Sequence, residues 1–249
     1  LDILASYPNE FWKYPVVIYY MKHRSEERFD QYFLRFLRKL IAELLTRYLL
    51  APTINAVKSD ILKLNVAIVH ATQPDFNFKE MSMSALPSAI RIPNRNVVRM
   101  MLKIIAYQEP KQTALLPETW EIEHIFPQKW RNNYFVDVSD ETVKEKIEHI
   151  GNKIPFEKRL NIVAGNGYFG KKKDMYKESQ IAVTKTLSQS SVEEWGLDDI
   201  TERDIHISEK LLKLLETWST EYNSKEASTS GPTPEQLEMI RRFRANGWV

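Results

Sequence analysis

The sequence predicts a mainly α-helical protein with a small embedded β-hairpin, and three observations carry that reading. Glycine occurs only 7 times in 249 residues, too rarely for the many tight turns of an all-β or repeated βαβ chain. From Arg28 to Leu50 the apolar residues Phe29, Phe33, Phe36, Leu37, Leu40 and Leu44 recur at steps of three and four, the spacing that lines one face of a helix. At Trp120 to His124 the period changes to two, which is the pattern of a half-buried strand.

The elements follow in order. The helix over 28–50 stops before Pro52, with Arg35, Arg38 and Lys39 mostly off its apolar stripe. Residues 57–71 and 94–107 read as further helices, the second with Val97, Met100, Met101 and Ile104 along one side. The stretch 72–92 between them, with two prolines and the run Met81 to Ser84, reads as a loop with a short helix. After the 120–124 strand the chain turns at Pro127. A helix over 140–150 has Ser139 or Asp140 as its cap. A second short strand falls within 152–163, 165–170 is turn-rich, 171–180 starts a helix, and 192–218 supplies one or two closing helices. Residues 223–233 have a linker's composition. Beyond them Pro234 stands at a first helical position between Thr233 and Gln236, which have capping-box spacing.

This order predicts a helical connecting domain over 1–112, a second domain over 113–222 that carries the hairpin, the 223–233 linker, and the start of a further, truncated helical module over 234–249. The chain opens on Leu1 in mid-pattern, which predicts a longer parent protein.

Composition narrows the function. Hydrophobic residues make up 43%, enough for a true core. Lys plus Arg number 35 against 33 Asp plus Glu, so the chain is no polycation, and a nucleic-acid surface has to come from local charge. The absence of cysteine excludes a disulfide scaffold, a Cys-ligated zinc ribbon and a thiol nucleophile, and is consistent with a reducing cytoplasm. Apolar runs such as 15–21 are far short of the roughly 20 residues of a membrane span, so no membrane partner is expected.

The chemistry concentrates in Ile122-Glu-His-Ile-Phe-Pro-Gln128, where a carboxylate and an imidazole stand side by side at a strand end. Gly151-Asn152 follows, then Asn161 nine residues later, then Lys171, Lys172 and Lys173. The adjacent carboxylate and imidazole place a metal ligand and a general base side by side. His124 has the intrinsic pKa of a general base. Glu123 and Asn161 offer hard oxygens, suited to one Mg²⁺ or Mn²⁺ that keeps several waters. Seven basic residues against two acidic ones between 153 and 177 give a local +5, the mark of a phosphate-binding surface centred on the three lysines. Asn166, between Gly165 and Gly167, reads either as a left-handed turn residue or as a further site residue. Gln128 and Tyr176 are further candidates, Tyr176 reading first as packing. The remaining histidines show no metal spacing; His149 stands out only because it precedes Gly151-Asn152.

The acid-His-x-x-Pro motif, the asparagine and the second asparagine nine residues on resemble the HNH (His-Me finger, ββα-metal) nucleases. With Asn166, Phe169, Lys172 and Tyr176 the pattern looks like the DUF1524 branch, over roughly residues 90 to 220. The resemblance implies a ββα-metal finger, a DNA endonuclease, and a role for Asn152 in shaping the loop that holds His124. It also implies the effector half of a bacterial restriction or anti-phage protein acting on DNA, modified phage DNA included, beside an N-terminal DUF262-type module. No Asp-Gly-Gln-Gln-Arg motif and no Gly-x4-Gly-Lys loop of such a module occurs in the chain. A bacterial cytoplasmic location follows from the resemblance, and a homo-oligomer is compatible with it. Many of these nucleases carry Asp at the position of Glu123, or His at that of Asn161, and many staple the finger with a cysteine-bound zinc; here flanking helices have to do that work. The competing readings are a catalytically silent nucleic-acid-binding or assembly module that keeps the fold, and a purely helical scaffold.

Overall fold

A computed structural model describes residues 1–131, 134–135 and 137–224. Among these the chain is mainly helical, with one two-stranded antiparallel sheet. The expected linker and the further helix over 234–249 lie almost wholly outside the described residues. No described helix is long and apolar enough to cross a membrane.

The chain divides into two compact units. One comprises Leu1, residues 3–82 and the described residues from Lys213, the other Met83 to Leu212 with Asp2. In the first, α1 (Lys13–His23), α2 (Phe29–Leu50) and α3 (Lys58–His70) surround an aromatic core. Tyr19 is fully buried there, its ring stacked 4.3 Å from Phe36 and 5.5 Å from Phe33. Lys39 and Arg47 of α2 are buried as well. Both reach Glu43, at 2.7 and 3.3 Å, and both lie over phenylalanine rings, at Phe76 and Phe78. A carboxylate partner and a ring face let a cation leave water, so an apolar stripe alone does not define what a helix buries.

The second unit contains α4 (Leu86–Arg91), α5 (Arg95–Tyr107), β1 (Trp120–His124), α6 (Asp140–Ile147), β2 (Lys153–Glu157), α7 (Lys158–Ala164), α8 (Phe169–Lys177) and α9 (Ala182–Leu187). The helix α10 (Leu197–Asn223) begins in this unit, and its residues from Lys213 belong to the first. Ser139 caps α6 by accepting from the Thr142 amide, and Asn94 caps α5 through the Asn96 amide. β1 pairs with β2 in the register Trp120↔Glu157 to His124↔Lys153. The second strand is shorter than its 152–163 window, because α7 starts at Lys158 directly from the strand end.

The hairpin is supported by packing. Ile125, Phe126, Ile154, Phe156, Leu160, Phe169, Tyr176, Trp195 and Ile200 form one buried cluster drawn from β2, α7, α8 and α10 and from segments between elements, Ile125 and Phe126 directly after β1. Arg99 of α5 closes the far end, its guanidinium 3.9 Å above the Trp120 ring and donating to the Trp120 carbonyl. With no cysteine to bind a structural zinc, these contacts hold the ββα finger.

Candidate active site

The strand period of two puts Glu121 and Glu123 on one face of β1, and the next residue, His124, ends the strand. α7 leaves β2 so that Asn161 reaches the same place, donating from Nδ2 to Glu121 Oε2 at 3.1 Å. Glu121, Glu123, His124, Gln128, Asn161 and Asn166 thus line one cleft of about 300 Å³. Glu123, His124 and Asn161, scattered over 39 sequence positions, are brought together there.

Glu123 is buried, and its Oε1 receives the Tyr176 hydroxyl at 3.0 Å and the Lys172 ammonium at 2.6 Å. Burial pushes the Glu123 carboxyl above the usual carboxylate range, with the Lys172 charge opposing that rise. His124 is largely buried. Its Nε2 has no hydrogen-bond partner among the described residues, because the approach of Glu148 Oε1 at 3.5 Å is an ion contact and not a formed hydrogen bond. Burial pushes the imidazole down to about 4; Glu148 pulls it up, while Lys153 and Lys172 add to the fall. The ring is therefore neutral at pH 7, the form that can take a proton. Burial works to raise Glu148, yet Lys153 at 2.8 Å and the Gln128 side chain hold it below its ordinary value.

Asn152 is fully buried, at 0% exposure. Its Oδ1 accepts from the Phe126 amide at 2.7 Å, and its Nδ2 donates to the carbonyls of Phe126 and Ile147 at 3.1 and 3.0 Å. Its own carbonyl accepts from the Ile125 amide at 2.9 Å. These bonds clamp the residues that follow His124 on the chain.

One expectation is corrected. Lys172 was read with Lys171 and Lys173 as a phosphate-binding trio, but Lys172 is 1% exposed. Its ammonium donates to the His124 carbonyl at 2.6 Å as well as pairing with Glu123, so it cannot reach a duplex from that position. α8 turns its three lysines through 100° steps, and only Lys171 faces solvent. Lys173 is partly covered, paired with Glu193 at 3.3 Å and lying over the Phe169 ring. At the Asn166 corner a positive φ, +54°, occurs at Gly165. Asn166 lines the cleft and binds both the amide and the carbonyl of Lys129, tying down the loop after Pro127. Tyr176 is buried against Phe156 and Phe169, a packing residue that also touches Glu123.

Sequence reasoning missed Glu121, Glu148, Arg203 and Asp204. Alternation along β1 could have flagged Glu121, two residues before Glu123. Nothing local marks Arg203 and Asp204, whose partners on the turn are 52 and 53 positions away.

The donor set fits a hard divalent cation. The cleft is lined by carboxylates and amides, and the chain has no thiolate. Among the described residues no group of three His, Cys, Asp or Glu forms a cage. A family model described as GmrSD restriction endonucleases, C-terminal domain, matches residues 75–210. No curated protein and no solved structure matches the chain. The matched span covers more than half of the chain and includes β1, β2, α7, α8 and every residue of the cleft. The chain therefore belongs to this family, the C-terminal, DUF1524-type HNH nuclease domain of GmrSD restriction endonucleases.

Proposed function

We propose that the chain is a metal-dependent DNA endonuclease in which His124 is the general base, with Glu123 and Asn161 as metal ligands beside Glu121. The observation that supports this best is the convergence of Glu123, His124 and Asn161 on one cleft, with the Asn152 side chain bonded to both the amide and the carbonyl of Phe126 behind the histidine. A neutral imidazole takes the proton of the attacking water. Glu121, Glu123 and the Asn161 amide oxygen would hold one Mg²⁺ or Mn²⁺. That ion supplies charge compensation for the phosphate and the leaving 3′ oxygen. Lys171 is the lysine of the trio left to meet phosphate. The parent protein is proposed as a bacterial defence enzyme whose 113–222 region is the nuclease and whose 1–112 region connects it to a DUF262-type module; modified phage DNA is the substrate class this implies.

The test is cleavage of supercoiled plasmid in Mg²⁺ or Mn²⁺ by wild type and His124→Ala. A loss of about 10² to 10⁴ in rate is expected, with DNA affinity retained. Equal cleavage by both proteins removes His124 from the mechanism. One observation favours the silent-module reading: the Glu123 charge is already balanced by Lys172 at 2.6 Å. If Mg²⁺ and Mn²⁺ do not bind at all while DNA does, that second reading stands.

A further inference from the structure

We propose that Arg203 and Asp204, neighbours on α10, are positioning residues that hold the Gly151–Asn152 turn and, through it, the loop that carries His124. The proposal rests on the reading of His124 and Asn152 given above.

The two side chains grip one residue from both sides. Asp204 Oδ1 accepts from the Gly151 amide at 2.7 Å, and the guanidinium of Arg203 donates to the Gly151 carbonyl at 2.8 Å. The same Arg203 nitrogen donates to the Lys153 carbonyl at 3.0 Å, where β2 begins. The second oxygen of Asp204 meets His149 Nδ1 at 2.6 Å, with Lys146 at 3.5 Å. Every residue from 149 to 153 except Asn152 is thus engaged by the pair, His149 through its side chain and the others through the main chain, the Ile150 carbonyl lying 3.4 Å from Arg203. The turn lies so close to α10 that a Cβ on Gly151 would stand 2.2 Å from the Ile200 carbonyl. No other residue fits there without moving the helix or the turn.

Burying a carboxylate and a guanidinium is costly, and a hydrophobic pair could pack a helix at least as well. What the charged pair adds is direction: an acceptor aimed at one amide and a donor aimed at the carbonyl of the same residue. The contact then passes to Asn152, whose side chain brackets Phe126 and whose carbonyl holds the Ile125 amide. Ile125 is the residue after His124. Two short steps connect α10 to the proposed base.

The test uses the full chain. Asp204→Asn keeps the side-chain size but leaves one acceptor for two donors. Amide exchange of Phe126, whose proton is held by Asn152, is followed by NMR beside amides of α5, and plasmid cleavage is followed in Mg²⁺. Phe126 is expected to exchange about tenfold faster or more while α5 is unchanged. kcat is expected to fall about tenfold to a hundredfold with KM within about twofold. Arg203→Met should reproduce both effects, and Arg203→Lys, with one nitrogen still able to donate, should recover part of them. If Asp204→Asn does not fold, His149→Ala removes only the outer partner of Asp204 and should give a smaller shift of the same kind. A Phe126 amide that exchanges as in wild type overturns the proposal, as does a uniform rise across Phe126 and α5, which would mean general destabilisation. An unaltered kcat beside a loosened Phe126 overturns it too. Should wild type not cut plasmid, the nuclease reading fails, and the exchange measurement alone decides whether α10 sets the turn.

Discussion

Asn152 and Asn161 are the same residue type, nine positions apart, and they sit in opposite surroundings. Asn152 is sealed from solvent and engages both its amide oxygen and its amide nitrogen with backbone partners. Asn161 lines an open cleft and, among the described residues, makes one side-chain hydrogen bond, to Glu121. The turn that carries the first is built to be rigid; the helix face that carries the second leaves polar atoms available for a ligand. A buried, fully bonded amide acts by holding others in place. A half-satisfied amide beside two carboxylates is placed to bind.

The sharpest way to break this contrast is to truncate both. Asn152→Ala strands the Phe126 amide and two carbonyls in the interior, and an unfolding titration should show a loss of about 2–4 kcal/mol. Asn161→Ala should leave stability within about 0.5 kcal/mol while weakening Mn²⁺ binding about tenfold or more. Equal stability losses in the two variants would dissolve the distinction.

Metal-free stability against pH is next in size. The His124 imidazole titrates at about 4 in the folded protein, with burial as the main cause, against about 6.5 in an unfolded chain. The unfolded chain therefore binds the proton first as pH falls, so stability is lost between about pH 6.5 and 4, by about 3 kcal/mol for this group. Glu123 is pushed upward and works the other way. The wild-type curve minus that of His124→Ala, measured in EDTA, isolates the histidine. A flat difference across that window would show that the ring is not buried in neutral form.

The smallest expected effect concerns DNA. Lys171→Gln should lower the log–log salt slope of binding by about 0.9, the value for one phosphate contact. Lys173→Gln, already paired with Glu193, should change it little. A drop for Lys173 matching that for Lys171 would mean that the Glu193 pair opens when DNA binds.

Much of this was legible in the sequence, for identifiable reasons. The helix over 28–50, the strand at 120–124 and the cap at Ser139 rest on local periodicity and local hydrogen bonds, which the sequence displays directly. The motif around Glu123 and His124 could be read because strand geometry and spacing bring adjacent residues to one place. Lys172 was misplaced because a run of three lysines gives no sign of which one a short helix turns inward, and the deciding partner, Glu123, lies 49 positions away. Arg203 and Asp204 were invisible for the same reason: a charged pair on a long helix reads as a solvated face until the turn it grips is seen. Lys39 and Arg47 repeat the lesson in the other unit.

The proposed cation site lies on the β1–α7 side of the cleft, away from the turn. The most direct measurement is Mn²⁺ titration of the metal-free chain, followed by paramagnetic broadening of assigned amide signals. Glu121, Glu123, His124 and Asn161 should broaden at lower Mn²⁺ concentrations than His149 and Asp204. The broadening should be lost in Glu123→Gln. Broadening that begins elsewhere, or that persists unchanged in that variant, would contradict the assignment of the cleft as the metal site.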